Sequence, residues 1–170
     1  MAHPEATSGN SFFFQNLPRK VLAPMPLPLL QPLLHRIITR VARNRPELFT
    51  RLGPHRHKTF LIDPLNIPFV FLLTPDPENP RLVASRRARN TPHDARIAGT
   101  FLTLLDMIDG RLDGDALFFT RDLMIDGDTE AVVVLRNALD DLEGSIVDDL
   151  AGQFGPVARA GLAALRRIRA

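Results

Sequence analysis

Two histidines placed two positions apart are the first residues of this sequence whose types and spacing suggest chemistry. If His55 and His57 lie on a strand, their imidazole rings point to the same side and could share a metal ion. No nearby Asp, Glu or third His completes the ligand set. A polar loop that leads into a strand explains the same residues, and we favour it over a metal site or a small enzyme that uses either histidine.

A group of aspartates, Asp106, Asp109, Asp113 and Asp115, suggests calcium, because carboxylate oxygens are ligands that Ca²⁺ prefers. Their spacing does not match the EF-hand loop, and the Glu that ends such a loop is missing. We therefore expect these side chains to solvate a loop and to cap a turn at Ala116. The sequence predicts no metal at this position.

The motifs of the common enzyme classes are missing from the sequence. It contains no G-x-S-x-G, no P-loop and no G-x-G-x-x-G. With no cysteine and only five scattered histidines, a nucleophile with its base has no support. We expect a protein that is not an enzyme and that uses no cofactor.

Length and composition predict one domain kept in the cytoplasm. The chain has 170 residues, of which 45% are hydrophobic, enough for a single core. No apolar run reaches the roughly 18 residues of a membrane span. The first residues lack the basic start and apolar stretch of a signal peptide. Association with a membrane surface stays compatible with these features.

The net charge of +2 conceals a basic–acidic–basic pattern. Residues 1–58 carry nine basic and two acidic side chains, residues 59–153 eight and seventeen, and residues 154–170 four and none. Two basic amphipathic helices, from about Gln31 and over 153–170, predict peripheral contact with anionic membrane. Nucleic acid is not expected, because there is no binding motif and no Tyr or Trp for stacking.

The N-terminal third is predicted to be a leader followed by helices. Residues 1–26 read as a disordered or Pro-rich leader, and residues 27–53 as the N-terminal helices. The prolines between positions 24 and 32 oppose a regular helix over the first part of this segment. The helical pattern is therefore expected only from about Gln31 onward. Its apolar stripe is predicted at the following positions: Leu33, Leu34, Ile37, Ile38 and Val41.

Strands and further helices are predicted after residue 57. Short apolar runs between turn residues predict five strands, near residues 58–63, 67–74, 81–88, 94–100 and 122–126. The shared face of Phe101, Leu104, Leu105 and Ile108 predicts a helix, and Asp128 can cap another that runs to about Glu143. This order predicts an α+β fold, with a mostly antiparallel sheet covered by helices.

Apolar side chains exceed what an obvious small core needs. The runs "FVFLL", "FLTLL" and "ALFF" read equally as packed core or as the wall of a cavity. Residue types alone leave both interpretations open, with ordinary core the commoner outcome.

Residues 114–143, "GDALFFTRDLMIDGDTEAVVVLRNALDDLE", resemble the C-terminal motif of sterol-carrier-protein-2-like lipid-binding domains. Within that superfamily they are most similar to the bacterial UbiT group of ubiquinone biosynthesis accessory factors. The similarity rests on an "LFF-x-R-x-L-x-I-x-GDTE" pattern, here Leu117 to Glu130, and on Asn137 in the helix that follows. It is dense over about thirty residues and extends weakly, through strand order, over residues 45–143.

The resemblance implies a curved sheet and helices around an apolar tunnel, formed by residues 54–152. It implies a non-catalytic factor that binds a prenylated quinone precursor or a phospholipid for oxygen-independent ubiquinone biosynthesis. The implied partners are iron–sulfur hydroxylase proteins of the quinone pathway. The expected tunnel wall comprises Phe69, Phe71, Leu102, Leu105, Phe118, Phe119, Leu123 and Ile125. The alternative is a scaffold with a filled core that docks partner enzymes at the membrane.

Overall fold

The structure, a computed structural model, describes residues 26–109, 123–142, 144–153 and 155–167. The helices are α1 (Leu27–Asn44), α2 (Pro46–Arg51), α3 (Phe101–Ile108), α4 (Thr129–Asp140), α5 (Ile146–Gln153) and α6 (Pro156–Arg167). The strands are β1 (Phe60–Pro64), β2 (Phe69–Thr74), β3 (Arg81–Arg86), β4 (Ala95–Gly99) and β5 (Leu123–Gly127). A 3-10 turn over Gly53–His57 leads into β1. None of these described helices is long and apolar enough to cross a membrane.

The five strands form one sheet in the order β3-β2-β1-β4-β5. Neighbours are antiparallel except β1 and β4, which run parallel. Ile62 of β1 stands opposite Phe71 of β2 and Ile97 of β4, so these three side chains share one face. On that face they pack in one core with Leu104 of α3 and Leu135 of α4. The α+β prediction of a mostly antiparallel sheet covered by helices is confirmed.

Helix α1 begins at Leu27, earlier than the predicted start near Gln31. Pro28 lies in the first turn, where its missing N–H has no helical partner to lose. Pro32 lies inside the helix, a position that costs about 3 kcal/mol. Contacts with the sheet act against that cost: the Gln31 side-chain amide donates to the backbone oxygen of Ala84 on edge strand β3 at 2.7 Å and accepts from its amide at 3.3 Å. The prediction failed because it weighed proline alone.

The predicted stripe of α1 is correct at four positions and wrong at one. Leu34 and Ile38 are buried, and Ile37 and Val41 are partly buried, whereas Leu33 is 42% exposed. The position of Leu33 lies about 100° around the helix from that of Leu34 and faces outward.

The turn between β5 and α4 has little freedom in its geometry. Gly127 has φ +79°, and a Cβ atom there would lie 2.4 Å from the backbone oxygen of Asp94. The next amide, of Asp128, donates to that same oxygen at 2.9 Å. The Asp128 carboxylate accepts from the amide of Ala131 at 2.9 Å, which confirms the predicted helix cap. Only glycine fits the first position without displacing β4.

The sequence predicts one helix over 153–170, whereas the structure has α6 there and the additional helix α5 before it. Helix α5 precedes α6 and packs against it. The hydroxyl of Ser145 accepts from the amide of Asp148 at 2.9 Å and caps α5. This Ser-x-x-Asp spacing is a sequence signal for the start of a helix, although α5 was not predicted.

Candidate functional site

A cavity of about 580 Å³ lies between the helices and the covered face of the sheet. Its sheet wall is formed by the side chains of Ile62, Phe71, Leu73 and Leu82. All six described helices contribute to the remaining wall. Every described residue that lines the cavity is apolar, and none offers a side-chain hydrogen-bond donor or a charge. Its volume lies in the range of small-molecule sites, which are usually about 300–1,000 Å³.

The residues that line the cavity differ in exposure. Phe49, Leu52 and Leu104 line it and are at most 2% exposed. Lining positions of α1, α3 and α5 are partly exposed, and Gly161 of α6 is exposed.

Helix α3 forms one side of the cavity because of its sequence period and its anchored start. Its predicted apolar face, Phe101, Leu104, Leu105 and Ile108, lines the cavity at all four positions. The side chain of Thr100 caps the helix by accepting from the amide of Thr103 at 3.2 Å. The first amide of α3 donates to the side-chain oxygen of Asn66, in the β1–β2 connection, at 2.8 Å. These bonds fix α3 beside the end of β1.

The structure places the eight predicted site residues at different locations. Phe71 and Leu105 line the cavity. Phe69 packs against α1 in the smaller core cluster, with its ring 5.5 Å from that of Phe71. Three others, Leu102, Leu123 and Ile125, are not among the lining residues. The remaining pair, Phe118 and Phe119, lies outside the described residues.

Most of the described residues that line the cavity were not predicted to be part of its wall. The α1 stripe, including Ile38 and Val41, was recognised as apolar but not as wall. Helix α5 contributes Ile146, Val147 and Leu150, and it was missed as an element. Their spacing of one and four positions, after the Ser145 cap, was the available signal.

His55 and His57 have separate environments. His55 is buried, and its Nδ1 lies 3.0 Å from Nζ of Lys58, which also bonds the carboxylate of Asp128. His57 is exposed and lies 3.2 Å from Asp76. The described residues contain no group of three or more His, Asp or Glu side chains suited to a metal. Two of the four aspartates that suggested calcium, at positions 113 and 115, lie outside the described residues.

The contacts at Asp128 link the sheet to α4 electrostatically. The hydrogen bond from Lys58, and then that from the amide of Ala131, hold the pKa of the Asp128 carboxyl below its ordinary value. The lysine comes from the approach to β1, and the aspartate begins α4. This arrangement is structural, since its polar groups face each other rather than the cavity.

A second charged group lies on the sheet face opposite the cavity. Asp63 alternates with Ile62 along β1 and is buried, and it accepts from both Arg87 and Arg96, the latter at 2.7 Å. Arg96 also bonds Asp126 of β5. The hydrogen bond with Asp63 raises the pKa of Arg96 above its ordinary value. These pairs join β1, β4 and β5, and no described residue that lines the cavity is charged.

Comparisons with known proteins agree with this architecture. A protein-family model, the SCP-2 sterol transfer family, matches residues 35–140. A solved structure titled UbiJ-SCP2 ubiquinone synthesis protein is 17% identical, with 68% of this chain and 93% of that chain covered and a TM-score of 0.54. Sterol carrier protein 2 from Yarrowia lipolytica is 12% identical, with 64% and 88% covered and a TM-score of 0.45. No curated protein matches the sequence. The family model covers more than half of the chain, which therefore belongs to the SCP-2 sterol transfer family.

Proposed function

We propose that this protein is a non-catalytic lipid-binding accessory factor. It holds a prenylated quinone precursor, or a phospholipid chain, in its apolar cavity for oxygen-independent ubiquinone biosynthesis. The observation that carries the proposal is a cavity of about 580 Å³ whose described lining is wholly apolar. Membership of a sterol transfer family supports lipid as the ligand. The shared fold with UbiJ-SCP2, a ubiquinone synthesis protein, supports the pathway.

The physical argument for a lipid rests on hydration. Each methylene moved from water into an apolar site contributes about 0.8 kcal/mol, so a long prenyl tail strongly favours such a cavity over water. A cavity without acids, bases or nucleophiles in its described wall can shield a tail but cannot transform it. These properties fit a carrier that shields the tail of a precursor and presents its ring to a separate hydroxylase.

The outer face of α1 supports peripheral attachment to anionic membrane from the cytoplasm. Leu29 and Leu33 are 73% and 42% exposed, and the positions of Arg36, Arg40 and Arg43 continue the same outward stripe. Helix α1 contains no acidic residue. Exposed leucines beside arginines are typical of helices that lie in the interface of anionic bilayers.

Vesicle sedimentation tests this attachment. The Arg40→Glu/Arg43→Glu double variant should release the protein from vesicles that contain phosphatidylglycerol, because it reverses charge on the stripe. Arg81→Glu/Arg89→Glu, at exposed positions of β3 and of the β3–β4 connection, is the matched control because it changes the net charge by the same amount, and it should keep binding. Equal release by both variants would point to general charge rather than to α1.

Lipid extraction from protein purified from its own host tests the ligand. Mass spectrometry of the extract should detect a prenylated quinone precursor or a phospholipid at a substantial fraction of the protein concentration. An extract that contains neither would remove the basis for the proposal. Hydroxylase partner proteins, expected from the UbiT resemblance, should co-purify with the wild-type chain.

The rival proposal is a scaffold with a filled core that docks partner enzymes. The size of the cavity supports lipid binding over that alternative. A scaffold would keep its partners when the cavity is filled by larger side chains, whereas a lipid carrier would lose its ligand.

A further inference from the structure

We propose that two copies of this protein associate through their β5 strands, which pair antiparallel and join the two five-stranded sheets into one. The partner is a second copy of the chain, and the docking surface is the free edge of β5. The proposal does not depend on lipid binding, because no residue of β5 lines the cavity. It rests on the contrast between the two edges of the sheet, on the direction of the β5 backbone groups and on the fit of β5 to itself.

The sheet has two edges, of which β3 is closed and β5 is open among the described residues. At β3, the backbone N–H and C=O of Ala84 both bond the side-chain amide of Gln31, and α1 packs beside that strand. At β5, Met124 is 47% exposed and the side chain of Asp126 is 61% exposed. The strand contains no lysine and no proline, the residues that commonly protect such an edge. An unprotected edge is a template for another strand.

The hydrogen bonds of the β4–β5 pair show which backbone groups of β5 face outward. The amide of Asp128 donates to the backbone oxygen of Asp94 at 2.9 Å, one position beyond the Ala95–Gly127 pair of the register. Opposite residues of antiparallel strands alternate between bonded and non-bonded pairs, so positions 126 and 124 also bond β4. The N–H and C=O groups at positions 123, 125 and 127 therefore point away from β4. No hydrogen bond between described residues uses these groups.

The strand fits itself in one antiparallel register. With Ile125 opposite Ile125 of the second copy, every outward position meets an outward position, and Leu123 faces Gly127, which has no side chain to crowd it. A shift toward Asp126 would set two aspartates directly opposite, which is repulsive, and a shift the other way would leave Gly127 unpaired. Five residues from each copy bury less than the roughly 1,200 Å² of a stable interface, so we expect a reversible, concentration-dependent dimer.

The symmetry of this pairing also determines where the helices lie. The two-fold axis passes between the two Ile125 residues, perpendicular to the joined sheet, so the covered faces of both copies lie on the same side. Helix α1 packs on that face in each copy, where Leu34 shares a core cluster with Phe69 and Ala84. With the attachment of α1 to anionic membrane proposed above, the dimer brings two such helices to one bilayer, and attachment becomes bivalent.

Sedimentation velocity over a range of protein concentrations tests the pairing with two variants of one residue. Ile125→Pro removes an outward N–H but no bond to β4, and proline is tolerated in edge strands. Each dimer loses two hydrogen bonds, so association should weaken at least about tenfold. Ile125→Ala is the matched control, because it shortens the side chain but keeps the N–H, and it should weaken association clearly less.

A wild-type protein that stays monomeric at the highest concentration, or equal association of the two variants, would overturn the pairing. In vesicle sedimentation, Ile125→Pro should bind more weakly than Ile125→Ala. Equal vesicle binding by the two variants, when only Ile125→Pro is monomeric, would overturn the bivalent attachment.

Hydrogen exchange of the wild-type protein is a second measurement, which stands even if Ile125→Pro fails to fold. The amides of Leu123 and Ile125 should exchange quickly in dilute protein and slowly in concentrated protein, because only the dimer bonds them. The amides of Met124 and Asp126 bond β4 and should be protected in both. Protection of Ile125 in dilute protein would show that another part of the chain covers this edge. That result, or no gain of protection on concentration, would overturn the pairing and leave the proposed function intact.

Discussion

The corner formed by Gly127 and Asp128 between β5 and α4 is tightly packed, whereas the cavity in the same domain is left unfilled by side chains. At the corner, a single added Cβ on Gly127 would stand 2.4 Å from a backbone oxygen, and Asp128 satisfies both an amide and Lys58. In the cavity, about 580 Å³ is left between apolar side chains that have no polar partner. The "GDTE" end of the resemblance motif forms the corner, and its described residues Leu123 and Ile125 do not line the cavity. The described part of that motif is therefore structural, whereas the described lining of the cavity is spread over all six helices and the sheet.

The largest effect is expected from Gly127→Ala. The positive φ and the clash with the oxygen of Asp94 should together lower the free energy of unfolding by about 3 kcal/mol or more. Gly53→Ala is the matched control, because Gly53 also has positive φ but its Cβ would meet open space, so a loss of about 1 kcal/mol is expected. Urea denaturation measures both, and equal losses would show that the corner is not tightly packed.

The next effect separates packed core from cavity wall. Leu123→Ala, at an 8% exposed position outside the cavity lining, should cost about 2–4 kcal/mol of unfolding free energy. Leu105→Ala, at a partly exposed lining position, should cost only about 1 kcal/mol, since fewer contacts are lost, but should weaken lipid binding. The reverse order of the two losses, measured by denaturation, would argue that the cavity is part of the packed core.

A larger side chain at an exposed lining position should reduce binding without reducing stability. Gly161 lines the cavity, and a Cβ there meets nothing within 4 Å. The phenyl ring of Gly161→Phe should displace at least two carbons of a bound chain, which at about 0.8 kcal/mol each weakens binding by about tenfold. Ala160→Phe, exposed on the same helix but not lining, should bind normally in an assay that measures displacement of a bound fluorescent fatty acid.

The smallest effect is a change in acid sensitivity at the corner. The lowered pKa of Asp128 means that its ionised form stabilises the fold at pH values above the ordinary carboxyl pKa of 3.8, and that this stability is lost as pH falls further. Asp128→Asn keeps a side chain that can cap α4 but removes the charge. The melting temperatures of the two proteins should differ near neutral pH and converge at acidic pH, and a constant difference would contradict the role of the charge.

The fold was largely predictable because local signals agree with it. The strands are apolar runs bounded by turn residues, and the cap at Asp128 follows from residue type and position. The start of α1 was not predictable from proline content alone, because the bonds between Gln31 and β3 act across the fold. Helix α5 was missed although its Ser145 cap was readable.

The apolar nature of the site was predictable from the sequence, but the residues that line it were not. Leu104 of the cavity wall and Val132 of the packed core are both buried apolar helix residues, and nothing in their types distinguishes them. A cavity arises where facing elements fail to meet, which depends on their separation rather than on residue identity. For the same reason, of the six predicted wall residues that the structure describes, only Phe71 and Leu105 line the cavity.

Native mass spectrometry of the protein with a chain of about eighteen carbons tests the central claim most directly. The cavity predicts one bound chain per protein molecule, and a clearly smaller bound fraction for Gly161→Phe than for Ala160→Phe. A wild-type protein that remains unbound in the presence of excess lipid, while retaining its cooperative unfolding transition, would contradict the claim that this cavity holds a lipid.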